Sequence, residues 1–234
     1  MLLARRPPQA EIMDGPDLDR AAHDAALEGL ARLNAWAGSA RPFWPPLAAL
    51  LRRAPGPLQL LDVAAGAGDV PVALALRARR AGLPLRVAAV DRSATALAHA
   101  ARRAARHGIA LPVVQADALA PGGLPLRADV VTCSLFLHHL DDERAVAFLR
   151  AAAAAARRLL LVADLRRSAA GLLLAATASR LATRSPVVHA DAATSVRNAY
   201  APAEVGALAA RAGLRGAVVR RTFPQRLLLA WSPE

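Results

Sequence analysis

LQLLDVAAGAGDVPVAL, residues 58–74, is the stretch that decides the fold. Leu58, Leu60, Leu61 and Val63 form an apolar run of strand length. Asp62 lies inside that run near its carboxyl end, where a carboxylate is costly without a partner. Ala64, Gly66 and Gly68 then fall at every second position, and glycine reaches backbone dihedrals closed to other residues. Pro71 suits the first turn of a following helix. The segment reads as strand, tight small-residue turn, helix. A dinucleotide fingerprint needs a third glycine where Pro71 stands, so a nicotinamide-dependent oxidoreductase is the poorest reading.

Downstream, strands and helices alternate, the pattern of a parallel sheet covered on both faces. Helix is expected over 70–81 and strand over 85–90, ending at Asp91. Ser93 is an N-cap for a helix to His107, closed by Gly108. Further strands are expected at 111–115, 128–134 and 159–163. A helix from Asp141 or Asp142 to about Arg157 includes the alanine run 151–156. Residues 166–184 read as helix and 202–212 as the last helix. Residues 217–223 and 226–231 read as a terminal hairpin.

Upstream, residues 5–8 look like a flexible leader and 17–36 like a helix with Leu18, Leu27, Leu30 and Leu33 as core candidates. Residues 41–47 carry three prolines and read as a break before a short helix at 47–53. This portion cannot bury itself. The division expected is a helical lid or cap over 1–57 and a ligand-binding domain over 58–234, with a substrate-loop insertion at 165–201.

The 234 residues suffice for one large α/β domain. Apolar residues make up 55% of them but aromatics only 3%, so the core should be aliphatic. The longest apolar stretches are too short to span a bilayer, and the first residues lack a secretory pattern. A single cysteine, Cys133, fits a reducing, cytoplasmic setting and reads as a small core residue. The net charge of +12 raises the question of nucleic acid. All the basic residues are arginine and they are dispersed in pairs, which reads as arginine-rich surface rather than a binding tract.

Ligands of open parallel sheets bind beyond the carboxyl ends of the strands. Asp62, Asp91, Asp117 and Asp164 all fall there. Asp91 is placed to accept two hydrogen bonds from a ribose diol. Asp117, in QADAL, can accept from an adenine amino group while Ala118 offers its N–H. With D-x-A-x-G-x-G from Asp62 to Gly68, these positions make the chain resemble a class I S-adenosylmethionine (SAM) methyltransferase. Ala64 replaces one usual glycine. The segments LLDVAAGAGDVPVAL, AAVDRSATALAHA, VVQADALAP, ADVVTCSLFLHHLDD and LLLVADLRRS carry the resemblance, which is similar to the small-molecule branch of ubiquinone and menaquinone methyltransferases. LFLHHL, ADLRRS and HADAATSVRNAY resemble polyketide-pathway methyltransferases of secondary metabolism.

The resemblance implies a Rossmann-like, doubly wound, seven-stranded, mostly parallel sheet with a C-terminal antiparallel hairpin and an N-terminal helical lid. It implies SAM as cofactor and S-adenosylhomocysteine as product. Asp62, Ala64, Gly66 and Gly68 would approach the methionine part. Asp91 would hold the ribose, Asp117 and Ala118 would meet the adenine, Ser134 or Leu135 would lie beside the sulfonium, and Arg92 is a further cofactor-binding candidate.

A base helps when the methyl acceptor is a phenol, and histidine is the common choice. His138 and His139 follow the fourth strand, and His189 is expected in a loop before the last helix. A packing or capping role is the alternative for the pair. Asp191, Arg197 and Tyr200 are candidate substrate contacts, with solvated surface positions as the alternative. No N-P-P-Y-type motif follows the fourth strand, which argues against amine methylation of nucleic acid. Carboxylates and histidines show no close ligand spacing, so no metal is expected. The reading is methylation, at oxygen, of a small aromatic or polyketide-like acceptor. The alternatives are C-methylation of a quinone-type ring, RNA methylation, and a non-catalytic SAM-binding protein. A homodimer is admitted; a nucleic-acid partner is not expected.

Overall fold

The computed structural model describes residue 6, residues 9–15 and residues 19–233, apart from the side chains of residues 14, 20, 23 and 35. The core candidate Leu18 therefore lies outside the described residues. Seven strands form one sheet: β1 (Leu58–Val63), β2 (Leu85–Asp91), β3 (Val113–Gln115), β4 (Ala128–Ser134), β5 (Ala156–Leu165), β6 (Val218–Thr222) and β7 (Arg226–Trp231). Their order is β3-β2-β1-β4-β5-β7-β6. The first five run parallel; β7 pairs antiparallel with both β5 and β6. The order reverses between β1 and β4, and a crevice opens there beyond the strand ends.

Among the described residues eight α-helices accompany the sheet: α1 (Arg20–Trp36), α2 (Trp44–Arg53), α3 (Asp69–Arg80), α4 (Ala94–Arg106), α5 (Asp142–Ala155), α6 (Ala169–Ala182), α7 (Pro186–Asn198) and α8 (Pro202–Arg211). A strand's two-residue period sends neighbours to opposite faces. Leu61, Val131, Leu160 and Leu229 join one core with α5 and α8. Leu60, Val130, Leu161 and Leu228 join the other with α2, α3 and α4. Both faces of the central strands are thus apolar, as covered parallel sheets require. None of the helices is long and apolar enough to cross a membrane, among the described residues.

Helix starts follow local chemistry. Ser93 accepts from Ala96 N at 3.2 Å, Asp141 from Arg144 N at 2.8 Å and Ser168 from Gly171 N at 3.0 Å. α2 begins inside the expected proline break, because Pro45 and Pro46 occupy first-turn positions that need no N–H partner. β3 is shorter than expected, and β5 starts at Ala156, immediately after α5.

Two expectations are corrected. Residues 186–198 are helix α7, not loop, with Pro186 in its first turn and Ser185 as N-cap. The leader is anchored at Arg6, whose guanidinium donates to the carbonyls of His138, Leu140 and Asn198 and lies 3.7 Å over the Tyr200 ring. Arg5, Pro7 and Pro8 lie outside the described residues. From there the chain runs along α7. Gln9 and Asn198 exchange two hydrogen bonds, and the Asp191 carboxylate accepts from Ile12 N and Met13 N at 2.9 and 3.0 Å.

Gly68, at φ +72°, ends the β1 turn where α3 and α4 meet. A Cβ there would stand 2.7 Å from the Ala100 Cβ. At Gly66, φ +53°, a Cβ would meet no described atom within 4 Å. Gly68→Ala should therefore cost about 2–4 kcal/mol of stability, from backbone strain plus overpacking, and Gly66→Ala only about 1–2 kcal/mol, from strain alone. Urea denaturation of both variants checks this; equal losses would contradict the close contact at Ala100.

Candidate active site

Beyond the ends of β1, β2 and β4 lies a cavity of about 740 Å³, within the roughly 300–1,000 Å³ typical of small-molecule sites. The β1 turn forms its floor. Ala64, Gly66 and Gly68 all adopt positive φ, which turns the backbone sharply after Val63. Asp91, at the end of β2, accepts from Gly66 N and from Ser93 N, both at 2.8 Å. Each of its oxygens keeps a lone pair for a further donor. Arg92, Asp117 and Ala118 line the same wall, and Asp117 accepts from Leu119 N at 2.9 Å. Ser134 and Leu135 line the cavity after β4. Leu135 is also at positive φ, and the buried Ser134 hydroxyl has no hydrogen-bond partner among the described residues.

Carboxylates crowd the β1 end. Asp62 is buried and accepts from the Thr132 hydroxyl at 2.5 Å. Burial pushes its pKa up to about 8, against the pull of the Thr132 hydrogen bond and with help from Asp69 and Asp91. Burial also raises Asp69, which Arg103 and a hydrogen bond with the Asn34 side chain oppose. Arg226, the first residue of β7, is buried in the cavity wall and donates to Ser39 Oγ at 2.9 Å. Burial lowers its pKa, while Asp164 and Asp69 hold it up.

The far end of the cavity is lined by His138, His139 and Glu11. His138 is buried, and its Nδ1 meets Asp164 Oδ1 at 2.6 Å. Asp164 Oδ2 accepts from His138 N at 3.0 Å. Burial would raise the Asp164 pKa, but His138 beside it, with the N–H groups of Leu165 and His138, holds it below the ordinary value. α7 supplies Asp191, which lines the cavity while its carboxylate is committed to the N-terminal segment.

The structure separates the remaining candidates from this site. His189 sits on α7, not in a loop, and its Nε2 lies 2.7 Å from the Thr183 carbonyl oxygen. Among the described residues the cavity wall includes neither His189 nor Arg197 nor Tyr200. The Tyr200 hydroxyl reaches the Leu140 carbonyl at 2.9 Å and serves the Arg6 anchor instead. Burial raises the pKa of its phenol. Sequence reading missed Glu11, Asn34, Asp69 and Arg226. Asp69 adjoins Gly68 in the deciding stretch and was legible there. Arg226 was hidden as an ordinary polar position in a strand, and nothing local marks Glu11 or Asn34.

Comparison with known proteins agrees with this geometry. Residues 60–158 match the family model of a methyltransferase domain. No curated protein sequence matches the chain. The magnesium protoporphyrin IX methyltransferase ChlM from Synechocystis PCC 6803, solved with bound S-adenosylhomocysteine, superposes with a TM-score of 0.58 at 19% identity, over 95% of this chain and 91% of that one. The plantazolicin methyltransferase BpumL, also solved with S-adenosylhomocysteine, gives 0.65 at 15% identity, over 94% and 90%. A family 2 O-methyltransferase from Planctomyces limnophilus DSM 3776, in complex with apigenin, gives 0.63 at 22% identity. The alignment covers 93% of this chain but only 63% of that protein. At these identities the likeness shows the fold. The expected resemblance to class I methyltransferases holds for the matched domain and for the seven-stranded architecture.

The raised Asp62 pKa has a stability consequence. Between the ordinary value of 3.8 and about 8 the folded chain keeps a proton that the unfolded chain releases. Stability without ligand is therefore lost as pH rises through that window. Asp62→Asn keeps the Thr132 contact but cannot ionise. Urea denaturation at pH 5 and pH 7.5 should show a pH-dependent loss smaller in the variant by about 1–3 kcal/mol.

Proposed function

We propose that the chain is a SAM-dependent methyltransferase that methylates an oxygen of a small aromatic or polyketide-like acceptor. The observation that carries this reading is the ring of carboxylates at the ends of consecutive strands, Asp62, Asp91 and Asp117, around a small-residue turn left open at Gly66. The residues fit the cofactor. The open space at Gly66 admits a ligand against the backbone, and Ser134, whose buried hydroxyl has no partner among the described residues, lines the same cavity.

When bound, the cofactor would supply a methyl group on a sulfonium to an acceptor oxygen, whose proton would pass to solvent or a nearby base, with S-adenosylhomocysteine as the product. Asp91 would hold the ribose hydroxyls with its remaining lone pairs. Asp117 and Ala118 would receive the adenine edge, and Ser134 and Leu135 would border the reacting centre. Asp62, Asp69 and Asp91 place carboxyl oxygens near a cationic donor. Phe136, His138 and His139 offer the acceptor an aromatic and polar wall. The N-terminal segment with α1, α6 and α7 would act as its cover. Alignment of donor and acceptor supplies much of the rate in such a displacement. The O-methyltransferase solved with apigenin supports an aromatic acceptor.

Titration calorimetry should show S-adenosylhomocysteine binding that Asp91→Ala weakens by about 10- to 100-fold while circular dichroism shows the fold intact. Absence of binding to the unaltered chain would overturn the reading. With methyl-labelled SAM and a lysate, label should enter the organic-extractable fraction on an oxygen. Methyl on a ring carbon would replace O- with C-methylation; label in RNA or protein would refute a small-molecule acceptor.

A further inference from the structure

We propose that Glu11, His138 and His139 form a binding site for a first-row divalent cation of the zinc class, facing the acceptor end of the cavity. The three residues come from two distant parts of the sequence, and spacing alone gave no sign of them. Glu11 Oε1 lies 3.5 Å from His138 Nε2 and 4.0 Å from His139 Nδ1. The three donor atoms lie within 4.8 Å of one another. Zinc bonds of roughly 2.0–2.2 Å in a tetrahedral site set ligand atoms about 3.3–3.6 Å apart. One of the three separations already has that length, and the others need modest closure.

The orientation of His138 supports the assignment. Asp164 Oδ1 meets His138 Nδ1 at 2.6 Å, and the carboxylate is itself fixed by the N–H groups of His138 and Leu165. Nε2 is thereby directed at the Glu11 carboxylate. A carboxylate that orients a metal-binding histidine through its other nitrogen is the usual outer shell of such sites.

Glu11 is held there deliberately by the fold. Ser195 Oγ donates to its Oε1 at 2.7 Å, and Asp191 clamps the two N–H groups that follow it. The side chains of Glu11 and His138 are only 7% and 4% exposed. The His138 and His139 rings lie side by side, with centroids 4.2 Å apart. Two histidines and one carboxylate leave coordination positions open, as in catalytic rather than structural zinc sites. All three residues line the cavity, so an open position faces its interior. An acceptor oxygen bound there would lose its proton more readily. That last role rests on the methyltransferase reading; cation binding does not.

The test uses the full chain, stripped with a chelator and titrated with Co²⁺ as a spectroscopic probe. One equivalent should produce visible ligand-field bands that Zn²⁺ abolishes. Glu11→Gln and His139→Gln should each weaken Co²⁺ binding at least tenfold while S-adenosylhomocysteine binding persists. Asp164→Asn should weaken it about 10- to 100-fold. Absence of stoichiometric bands from the unaltered chain, or affinity unchanged in both Glu11→Gln and His139→Gln, would overturn the site and leave a proton between His138 and Glu11. Co²⁺ binding without S-adenosylhomocysteine binding would refute the proposed activity alone; the reverse would refute the cation site alone.

Discussion

The two hydrogen bonds that Asp91 accepts, from Gly66 N and Ser93 N, hold together the turns after β1 and β2. Parallel strands pair side by side, but their pairing ends where the turns begin. Beyond that edge the shape of the crevice depends on side chains reaching between loops. Asp91 is the last residue of β2, so the strand register fixes its Cα while its carboxylate spans to the neighbouring turn. A charged acceptor with two N–H donors is stronger than a neutral one would be. The same oxygens retain capacity for ligand hydroxyls, so the brace and the binding group are one side chain.

The other half of the cavity is made differently. It depends on an N-terminal segment that has little core of its own. Arg6 brings its guanidinium to the carbonyls at the turn after β4 and to the Tyr200 ring. Asn198 and Asp191 then satisfy backbone groups of residues 9–13 that would otherwise need water. The segment is in effect stitched to α7 by side chains rather than by secondary structure. That arrangement carries Glu11 to His138 and closes one side of the cavity. The cofactor half is built on strand ends; the acceptor half is built on a helix pair and this segment. Loops and helices outside the sheet vary without disturbing its core, which suits the half that must recognise an acceptor.

What the sequence made legible follows from range. The apolar runs of β1, β4 and β5, the Ser93 and Asp141 caps, and the aspartates at strand ends are local signals, and they lead to the sheet and to the positions of Asp62, Asp91 and Asp117. Helix α7 had a local signal too, Ser185 followed by Pro186, but Val187, Val188, Thr194 and Val196 weaken helix propensity and masked it. Its stability comes from packing on α6, α1 and the N-terminal segment. Arg226 had no local signal: it opens the second strand of the expected hairpin, and only the placement of β7 between β5 and β6 brings it into the cavity wall. The Glu11–His138 pairing joins positions far apart in sequence, and no periodicity reports such a contact.

Strain marks the same places as chemistry. Ala64 and Leu135 are non-glycine residues at φ +54° and +57°, each costing about 1–2 kcal/mol. They flank the switch between β1 and β4, one after each strand. The backbone around them is pinned across the sheet: Ala65 N donates to the Val90 carbonyl at 3.1 Å, and Leu135 N to the Ala163 carbonyl at 2.9 Å. Neighbouring strands therefore impose the conformation that local preference resists. Asp62, buried between these two turns with a hydroxyl for its partner, adds an unfavourable electrostatic cost at the same spot. A chain selected only to fold would place glycine at 64 and an apolar residue at 62. Three departures from local preference, adjacent in space and all lining one cavity, are the physical argument that this crevice is shaped for a ligand rather than left over from packing.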